Sequence, residues 1–406
     1  MRKMSNVQSA ITSKVTTGST ERLKRALIIL VRVRDGLPKP KQTSVESDAL
    51  RKLKIKGAVS PLLDARLRFM EVEGTARYVR MMEGRERVYP NMLPTQASGR
   101  WSTPSPPLPN FPPDCVNPLC SRVGTEHAYA TEKCWSARDI VAPDLGWWWL
   151  HYDLDSIEAK WAAADAGDMD DLEAFAKGYD VHTIRTCRAL RHALPPVLTK
   201  SLHTDPSCQA WRDSWNPPWS GSEDRRRHIF KTVGYATQFC ISPKGVLAAK
   251  GVDALGLTPD EIVRFAKTYI ASKPTLQNRK RQVWDESAKT AVSYTWYGRR
   301  RRLYGDWNTR AKEGWSHRIS GTVTDYQNQV VIAVDRKFPE SYLVLNSHDG
   351  LTWAFPVTTT QEMVMAYLKP LVEKDVTSPT GHTVKVTASW ERVNTDLTRS
   401  AVKATG

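Results

Sequence analysis

Apolar and polar positions alternate with a helical period over much of the chain, most regularly in residues 225–239. Within that stretch Arg227, Lys231, Tyr235 and Phe239 are each four positions apart, so a helix places them along one side. We therefore predict a helix that carries two cations near its start and two aromatic rings near its end. Such a face suits a triphosphate and a base, and it is equally compatible with a basic amphipathic helix that has an aromatic core stripe.

The segment before this helix has a different composition. Residues 211–219 combine several tryptophans with two prolines, and we predict a loop there without assigning it a role. Ser222 is expected to cap the following helix, with Glu223 and Asp224 in its first turn, near the positive end of the helix dipole.

Apolar and aromatic runs that end in polar residues predict strands at 147–156 and 383–390, and a pair of strands within 341–355. The pair is joined by a tight turn at residues 348–350, which read His-Asp-Gly. Further helices are predicted from the same helical period at 21–34, 44–82, 157–164, 170–190, 258–274, 276–290, 327–334 and 360–374.

Composition indicates a globular protein of two or three structural units, with 406 residues, 40% of them hydrophobic and 25% charged. No apolar run is long enough to span a bilayer, and the first residues lack the pattern of a signal peptide. The net charge of +16 is concentrated in residues 1–58 and at Arg299–Arg302. An excess of this size favours a polyanionic partner, most often nucleic acid, although charge alone is equally compatible with no such partner.

The cysteines do not indicate a disulfide framework in a chain of this length. Cys115, Cys120 and Cys134, with His127 between them, offer zinc ligands, but their spacing is not that of a standard zinc site. The other three are expected to be reduced core residues: Cys187, Cys208 and Cys240.

Several ordered motifs resemble the polymerase module of family A DNA polymerases, the group of bacterial DNA polymerase I and its phage relatives. Residues 153–158 (Asp-Leu-Asp-Ser-Ile-Glu) resemble motif A, the Arg-x3-Lys-x3-Tyr-x3-Phe pattern of 227–239 resembles motif B, and His348-Asp349 resembles motif C. Three connecting segments agree with the family: Ser98-Gly99-Arg100, Gly178-Tyr179-Asp180-Val181-His182-Thr183 and Gly298-Arg299-Arg300-Arg301. The resemblance covers roughly residues 44–375.

The resemblance implies an α+β right-hand polymerase fold with an antiparallel palm sheet, helical fingers and a reduced helical thumb. The expected division of the chain is a flexible N-terminus (1–20), a basic helical thumb-like region (21–94), the first part of the palm with motif A (95–174), the fingers with motif B (175–305) and the second part of the palm with motif C (306–406).

The implied activity is template-directed addition of dNTPs to a primer 3′-hydroxyl, with two Mg²⁺ ions for which Mn²⁺ is a candidate substitute. Asp153, Asp349 and the backbone carbonyl of Leu154 would be the metal ligands, since Mg²⁺ prefers oxygen donors. Catalysis would rest on Asp153, Asp349 and Lys231, with Lys231 donating a proton to the pyrophosphate.

The dNTP-binding residues follow from the same resemblance. Arg227 and Lys231 would bind the β- and γ-phosphates, and His182 would also touch the triphosphate. Tyr235 would stack under the sugar and base, Phe239 keeps a stacking surface, and Glu158 would crowd a ribose 2′-hydroxyl. Contacts to DNA are expected from Arg100, which would read the minor-groove side of the primer terminus, and from a further set: Asn110, His348, Lys52, Lys54 and Arg299.

Departures from the family pattern bear on activity. Gly350 replaces the usual Glu after the motif C aspartate, so we expect reduced rather than absent activity, with Asp155 partly replacing the missing charge. Phe239-Cys240 replaces Tyr-Gly, and Ser320 replaces a Gln that checks the primer terminus, which implies lower fidelity. The chain length leaves no room for exonuclease domains, and it suggests a phage or mobile element.

Other functions stay open at this stage. A single-subunit RNA polymerase-like enzyme has a related fold, although Glu158 argues against it. An inactive polymerase fold that binds primer–template DNA, or a basic nucleoid protein, would also explain the charge. The expected partners are primer–template DNA and dNTPs, with a processivity or replisome factor as a further candidate and no membrane. The expected location is the cytoplasm of a bacterial or phage-infected cell, in association with the nucleoid.

Overall fold

A computed structural model of the chain describes residues 90–93, 99–103, 141–221, 224–239, 242–248, 257–347, 349–394 and 399–401. The predicted flexible N-terminus and nearly all of the thumb-like region lie outside these residues. So do the following individual predictions: Lys52, Lys54, Asn110, the cysteines and histidine of 115–134, Ser222, Cys240 and His348.

The described helices and strands run in this order: β1 (Trp147–Leu154), α1 (Ile157–Ala166), α2 (Met169–Ala176), α3 (Val181–Leu190), α4 (Gln209–Asp213), α5 (Arg225–Phe239), α6 (Pro259–Ala271), α7 (Pro274–Thr290), β2 (Val292–Tyr294), β3 (Arg300–Arg302), α8 (Trp307–Ser316), α9 (Thr322–Lys337), β4 (Tyr342–Ser347), β5 (Gly350–Pro356), α10 (Gln361–Val372), β6 (Asp375–Thr377), β7 (Thr383–Lys385), β8 (Ala388–Val393) and β9 (Arg399–Ala401). A π-helical turn, His317–Gly321, joins α8 to α9.

A five-stranded antiparallel sheet with the order β4-β5-β1-β8-β9 forms the palm, as predicted. Alternation along β1 sets its two faces, because successive side chains in a strand point to opposite sides. Trp148, Leu150, Tyr152 and Leu154 are buried against α1, α9 and α10, which form the main core. The opposite face of β1 is more open and ends at Asp153, whose side chain is exposed.

The predicted turn between β4 and β5 fixes the end of the hairpin against β1. The Asp349 N–H donates to the Ser347 carbonyl over 2.9 Å, and the Leu154 N–H donates to the Asp349 carbonyl over 2.9 Å. Because Asp153 and Gly350 are register partners, the end of β1 and the turn lie side by side.

The helix predicted over 225–239 is present as α5, with the same bounds. Its cap differs from the prediction, since Asp224 precedes the helix and its carboxylate accepts the Arg226 N–H over 2.9 Å. The buried side of α5, with Ile229 and Val233, packs against Ile262 and Ala266 of α6. The side that carries Arg227, Lys231 and Tyr235 is therefore turned away from α6.

Three predicted elements need correction. The single helix expected over 170–190 is two helices, α2 and α3, because Gly178 takes a left-handed backbone (φ +66°) and Asp180 begins a new helix by capping it. The last predicted strand is divided into β7 and β8, because the two pair with different strands, β7 with β6 and β8 with β1. The Trp-rich segment is not all loop, because α4 includes its first residues.

Candidate active site

Two aspartates meet at the edge of the palm, one at the end of β1 and one in the β4–β5 turn. Asp153 is exposed, whereas Asp349 is half-buried, and burial away from solvent raises the pKa of Asp349 against the opposing charges of Arg100 and Lys231. The strand pairing therefore brings together both predicted catalytic carboxylates and the backbone of Leu154, with Lys231 near enough to act on Asp349 electrostatically.

Gly350 occupies a position that leaves little room for a side chain. A Cβ atom there would lie 2.8 Å from the Tyr152 carbonyl oxygen and 3.0 Å from Oδ1 of Asp153. The glycine that departs from the family pattern thus permits close approach of β5 to β1. An acidic residue at this position would require the two strands to shift.

Asp155, the predicted substitute for the missing acid, faces the other neighbouring strand. Its two carboxylate oxygens accept hydrogen bonds from Thr387 and Ser389, each over 3.1 Å, and Lys200 lies 3.8 Å away. Since both oxygens already accept bonds from this side of the sheet, the structure gives no support to the predicted compensation.

Glu158, in the first turn of α1, joins three distant segments. It forms a salt bridge with Arg100, and the Ser320 hydroxyl donates to its Oε1 over 2.6 Å. The Gln238 amide of α5 donates to the Glu158 backbone carbonyl over 3.2 Å. Two predicted site residues, Arg100 and Glu158, are therefore in direct contact, and Ser320 lies beside them.

The aromatic part of the α5 face reaches the start of α1. The Tyr235 hydroxyl is hydrogen-bonded to the Ser156 side chain, and burial raises the pKa of Tyr235 to about 12. The Tyr235 ring lies 5.8 Å from the His182 ring. Burial, together with the charges of Arg185 and Arg227, lowers the pKa of His182 to about 3, so this imidazole is neutral near pH 7. Among the described residues, no group bonds its buried Nε2 atom.

Asp180 anchors the cationic part of the same face. Arg227 donates to it from Nε over 2.9 Å, and His203 Nε2 bonds it at 2.9 Å. The Trp219 indole N–H donates to His203 Nδ1 over 3.3 Å, so the His203 proton that bonds Asp180 is on Nε2. Burial by itself would raise the pKa of Asp180, but the hydrogen bonds from His203 and Arg227 hold it well below its usual range. We call Asp180, His203, Trp219 and Arg227 the Asp180 cluster.

The tryptophans that precede α5 complete this support. Trp211, Trp215 and Trp219 pack together with Cys187, Cys208 and Leu202, so both described cysteines are buried and reduced, as predicted. The Arg226 guanidinium lies 4.6 Å from the Trp215 ring and donates to the Pro217 carbonyl over 2.9 Å. Two adjacent arginines thus hold the start of α5 in place: Arg226 contacts the tryptophans, and Arg227 pairs with Asp180.

The remaining described site residues lie around these groups. Lys231 is exposed, one helical turn beyond Arg227. Phe239 is half-buried and packs against a cluster that includes Trp315 and Ile319. Arg299 donates to Asp325 over 2.6 Å, and its guanidinium lies so close to Gly99 that a Cβ there would be 2.6 Å from it.

Sequence reasoning missed Asp180, His203 and Trp219 as parts of the site. In the sequence, Asp180 belongs to a motif in which only His182 was expected to contact the triphosphate. An Asp two residues before a helical His is nevertheless a signal for a helix N-cap. Nothing in the sequence links positions 180, 203 and 219, because their contacts form only in the folded protein.

No protein-family model matches the chain. The chain is 23% identical over 331 residues to DNA polymerase I of Helicobacter pylori, which covers 78% of this chain and 31% of that protein. It is 23% identical over 374 residues to the thermostable DNA polymerase I of Thermus thermophilus, which covers 88% of this chain and 39% of the relative. The chain thus spans about a third of the length of these curated relatives.

A solved structure is similar over nearly the whole chain. It is the POL domain of Pol1 from M. smegmatis in complex with a DNA primer-template and dNTP, with a TM-score of 0.60 and 19% identity. The match covers 95% of this chain and 65% of that chain. The fold is therefore that of a polymerase domain, and the predicted α+β class is confirmed. Together, the sequence and structural similarities support a family A polymerase-like module.

The donor set at the palm edge fits magnesium. In the described part of the chain, no three His, Cys, Asp or Glu side chains are grouped as metal ligands. Magnesium in phosphoryl-transfer sites is commonly held by one or two carboxylates together with substrate phosphates, and Asp153 and Asp349 supply two. The desolvated Asp349 carboxylate would be stabilised by a cation. None of the helices in the described ranges is long and apolar enough to cross a membrane.

Proposed function

We propose that the chain is a template-directed DNA polymerase that adds dNTPs to a primer 3′-hydroxyl. The observation that carries this proposal is the closeness of two parts of the molecule, the palm edge and one side of α5. Lys231 and Tyr235, on one side of α5, both lie near enough to Asp349 at the palm edge to interact with it electrostatically. A carboxylate pair opposite a cationic and aromatic helix face is suited to a nucleoside triphosphate.

The proposed metal site consists of Asp153, Asp349 and the Leu154 carbonyl, which would hold two Mg²⁺ ions or, in substitution, Mn²⁺. When bound, these ions neutralise triphosphate charge and make the primer hydroxyl a better nucleophile. Asp153 and Asp349 orient that centre, because the hydrogen bond from Leu154 to the Asp349 carbonyl locks the turn to β1.

The α5 face and its neighbours would position the incoming dNTP. Arg227 and Lys231 bind the β- and γ-phosphates, and Lys231 protonates the leaving pyrophosphate. His182, neutral and with an Nε2 that no described group bonds, donates or accepts one hydrogen bond at the triphosphate. Tyr235 stacks under the sugar and base, while Phe239 supports this surface from the cluster around Trp315.

Sugar selection and primer contacts would meet at Glu158. This carboxylate crowds a ribose 2′-hydroxyl, and its salt bridge with Arg100 joins sugar selection to the primer-terminal base pair. Arg299 would contact DNA beside Gly99, with Lys52, Lys54, Asn110 and His348 as further proposed contacts. A processivity or replisome factor and association with the nucleoid in the cytoplasm belong to the same proposal.

Primer extension on a defined template tests the function. With Mg²⁺ and single dNTPs or rNTPs, we expect template-dictated addition of dNTPs and weak addition of rNTPs. The variant Glu158→Ala should narrow the preference for dNTPs, since it removes the group that crowds the 2′-hydroxyl. Preferential use of rNTPs by the natural protein would support the RNA polymerase alternative instead. Binding of primer–template DNA without extension, in Mg²⁺ or Mn²⁺, would leave only a DNA-binding protein with a polymerase fold.

A further inference from the structure

The π-helical turn His317–Gly321 lies along one side of α1 and is bonded to it at two points. Glu158 and Asp165 are seven positions apart in α1, so the helix places them on the same side, two turns apart. The Ser320 hydroxyl donates to Glu158 Oε1 over 2.6 Å. The Arg318 Nε donates to both carboxylate oxygens of Asp165, each over 2.9 Å. The turn is thus fixed to α1 at both ends of this row.

The attachment at Asp165 does not depend on Glu158. The Asp165 carboxylate is 0% exposed, and it also accepts hydrogen bonds from Arg279 of α7 over 2.9 Å and from the Trp296 indole over 3.0 Å. Removing a partner from a buried charge is costly, so this group of contacts resists displacement. π-helical turns within helices are rare and frequently occur at functional sites. The position of Ser320 is therefore set by a rigid neighbour in its own turn.

The Ser320 hydroxyl is used differently from the other hydroxyls in this part of the chain. Thr322 and Thr324 donate to the backbone carbonyls four residues earlier, a common bond for such side chains in a helix. Ser320 is only 2% exposed, yet its hydroxyl bonds the side chain of Glu158 on another helix. This bond therefore joins two elements, whereas the threonine bonds stay within one.

Two groups in the described ranges donate to the Glu158 carboxylate, and both bond Oε1: the Arg100 guanidinium and the Ser320 hydroxyl. Gln238 donates only to the Glu158 backbone carbonyl, and Phe239 has no hydroxyl to donate. Under the proposed function, Arg100 also contacts the primer terminus, so it is shared with DNA. The Ser320 hydroxyl bonds no other described group, and it remains with Glu158 when Arg100 turns to DNA.

The Glu158 carboxylate lies beside the aromatic part of the α5 face. Burial raises the pKa of Tyr235, and the charge of Glu158 adds to this rise. Since Tyr235 is proposed to stack under the sugar and base, Glu158 borders the position of the incoming sugar. A glutamate without side-chain bonds can change rotamer and admit a larger sugar, whereas one held by a charge-assisted hydrogen bond must lose that bond to do so.

We propose that Ser320 is a positioning residue for sugar selection, because its hydroxyl holds the Glu158 carboxylate in the orientation that excludes a ribose 2′-hydroxyl. The inference rests on the proposed polymerase function and adds a specificity-determining residue to it. This role differs from the reduced checking of the primer terminus that the sequence suggests for Ser320. Loss of the hydroxyl lets Glu158 turn aside, which favours rNTPs and leaves dNTPs, which lack the 2′-hydroxyl, nearly unaffected.

Single-nucleotide primer extension with Mg²⁺ tests the proposal by comparing kcat/KM for a dNTP and the matching rNTP on the same template. Ser320→Ala should lower the ratio of these values by about tenfold, mainly through a lower KM for the rNTP, because a hydrogen bond to a charged group is lost. Ser320→Thr keeps the hydroxyl and should keep most of the selection. Thr324→Val is the matched control, since it removes a buried hydroxyl that bonds only its own helix, and it should leave the ratio unchanged.

A double-mutant cycle separates positioning of Glu158 from a general structural role. In the background Glu158→Ala, Ser320→Ala should change the ratio no further, because no carboxylate remains to be held. A further decrease in that background would overturn the proposal, and so would normal dNTP extension by Ser320→Ala with the sugar selection of the natural protein. Either result would leave the polymerase function standing. Failure of the natural protein to extend a primer with either sugar would instead refute the polymerase function, and this proposal with it.

Discussion

Two shielded aspartates in this molecule respond to their surroundings in opposite ways. The pKa of Asp349 at the palm edge is raised by burial away from solvent, whereas the hydrogen bonds of the Asp180 cluster hold the pKa of Asp180 far below its usual range despite burial. Asp349 is influenced by Arg100 and Lys231 through their charges, but Asp180 is bonded directly by Arg227 and His203. A bound cation would therefore stabilise the charged form of Asp349, whereas Asp180 is already stabilised by its hydrogen bonds.

This contrast indicates different roles for the two regions. A carboxylate with satisfied partners holds its neighbours in place, and here it orients Arg227 on α5. Asp349 is a desolvated carboxylate to which no side chain in the described ranges donates a hydrogen bond, and it is a candidate for chemistry, since a metal or substrate can stabilise its charged form. Changes at Asp349 should therefore affect the rate, and changes in the Asp180 cluster should affect stability and dNTP affinity.

The largest expected effect comes from Asp349→Asn, which keeps the shape of the side chain and removes its charge. Removal of several kcal/mol of metal-assisted stabilisation corresponds to a decrease in the extension rate of roughly a thousandfold or more. Asp155→Asn is the matched control, because Asp155 is bonded by the hydroxyls of Thr387 and Ser389 and its variant should keep far more activity. Single-turnover primer extension measures both, and similar rates for the two variants would remove the distinction between Asp349 and Asp155.

The second effect is on stability. Asp180→Ala leaves Arg227 without its carboxylate at a site where Asp180 is only 3% exposed. Removing one partner of a buried ion pair costs about 3–5 kcal/mol, so the unfolding free energy should fall by about that amount. Urea denaturation followed by circular dichroism measures it. The exposed i,i+4 pair Glu173–Lys177 provides the control, since Glu173→Ala should change stability very little. A small decrease in Asp180→Ala would mean that the cluster does not support α5.

The two regions also differ in how far the sequence alone predicts them. The expectation that Asp153 and Asp349 are neighbours rests on the resemblance of their segments to motifs A and C, and in the structure the antiparallel pairing of β1 with β5 joins them. The shared face of Arg227 and Tyr235 follows from helical spacing in α5. The Asp180 cluster depends on contacts between residues 16 to 47 positions apart, which no local period encodes.

Other errors in the prediction have a similar physical origin. The pattern of apolar residues does not predict the helix break at Gly178, because the apolar spacing continues across it. A glycine with a left-handed backbone nevertheless ends a helix. Likewise, closeness in sequence suggests that Asp155 helps the catalytic acids, whereas its bonds to Thr387 and Ser389 hold it on the other side.

The acid dependence of stability should distinguish the two aspartates further. A depressed pKa in the folded state means that Asp180 contributes stability above the unfolded pKa of about 4, and that this contribution disappears as the pH falls below it. The stability difference between the natural protein and Asp180→Asn should therefore shrink as the pH is lowered from about 5 toward 2. For Asp349, whose pKa is raised, the sign is opposite: Asp349→Asn should gain relative stability as the pH rises through that pKa. Urea unfolding across this pH range measures both, and parallel curves would show that the two groups do not differ.

The smallest expected effect is that of substituting His203, which forms a hydrogen bond with Asp180. His203→Ala removes one hydrogen bond to Asp180 but leaves Arg227 in place. We therefore expect dNTP binding to weaken by about 1 kcal/mol, which corresponds to roughly a fivefold rise in the KM for dNTP. His203→Gln keeps an N–H donor and should restore most of the affinity, which a merely space-filling role would not explain. Steady-state primer extension with varied dNTP measures KM, and the affinity for primer–template DNA should stay unchanged in both variants. A rise in KM that glutamine does not correct would show that His203 acts through packing against Trp219 and not through its bond to Asp180.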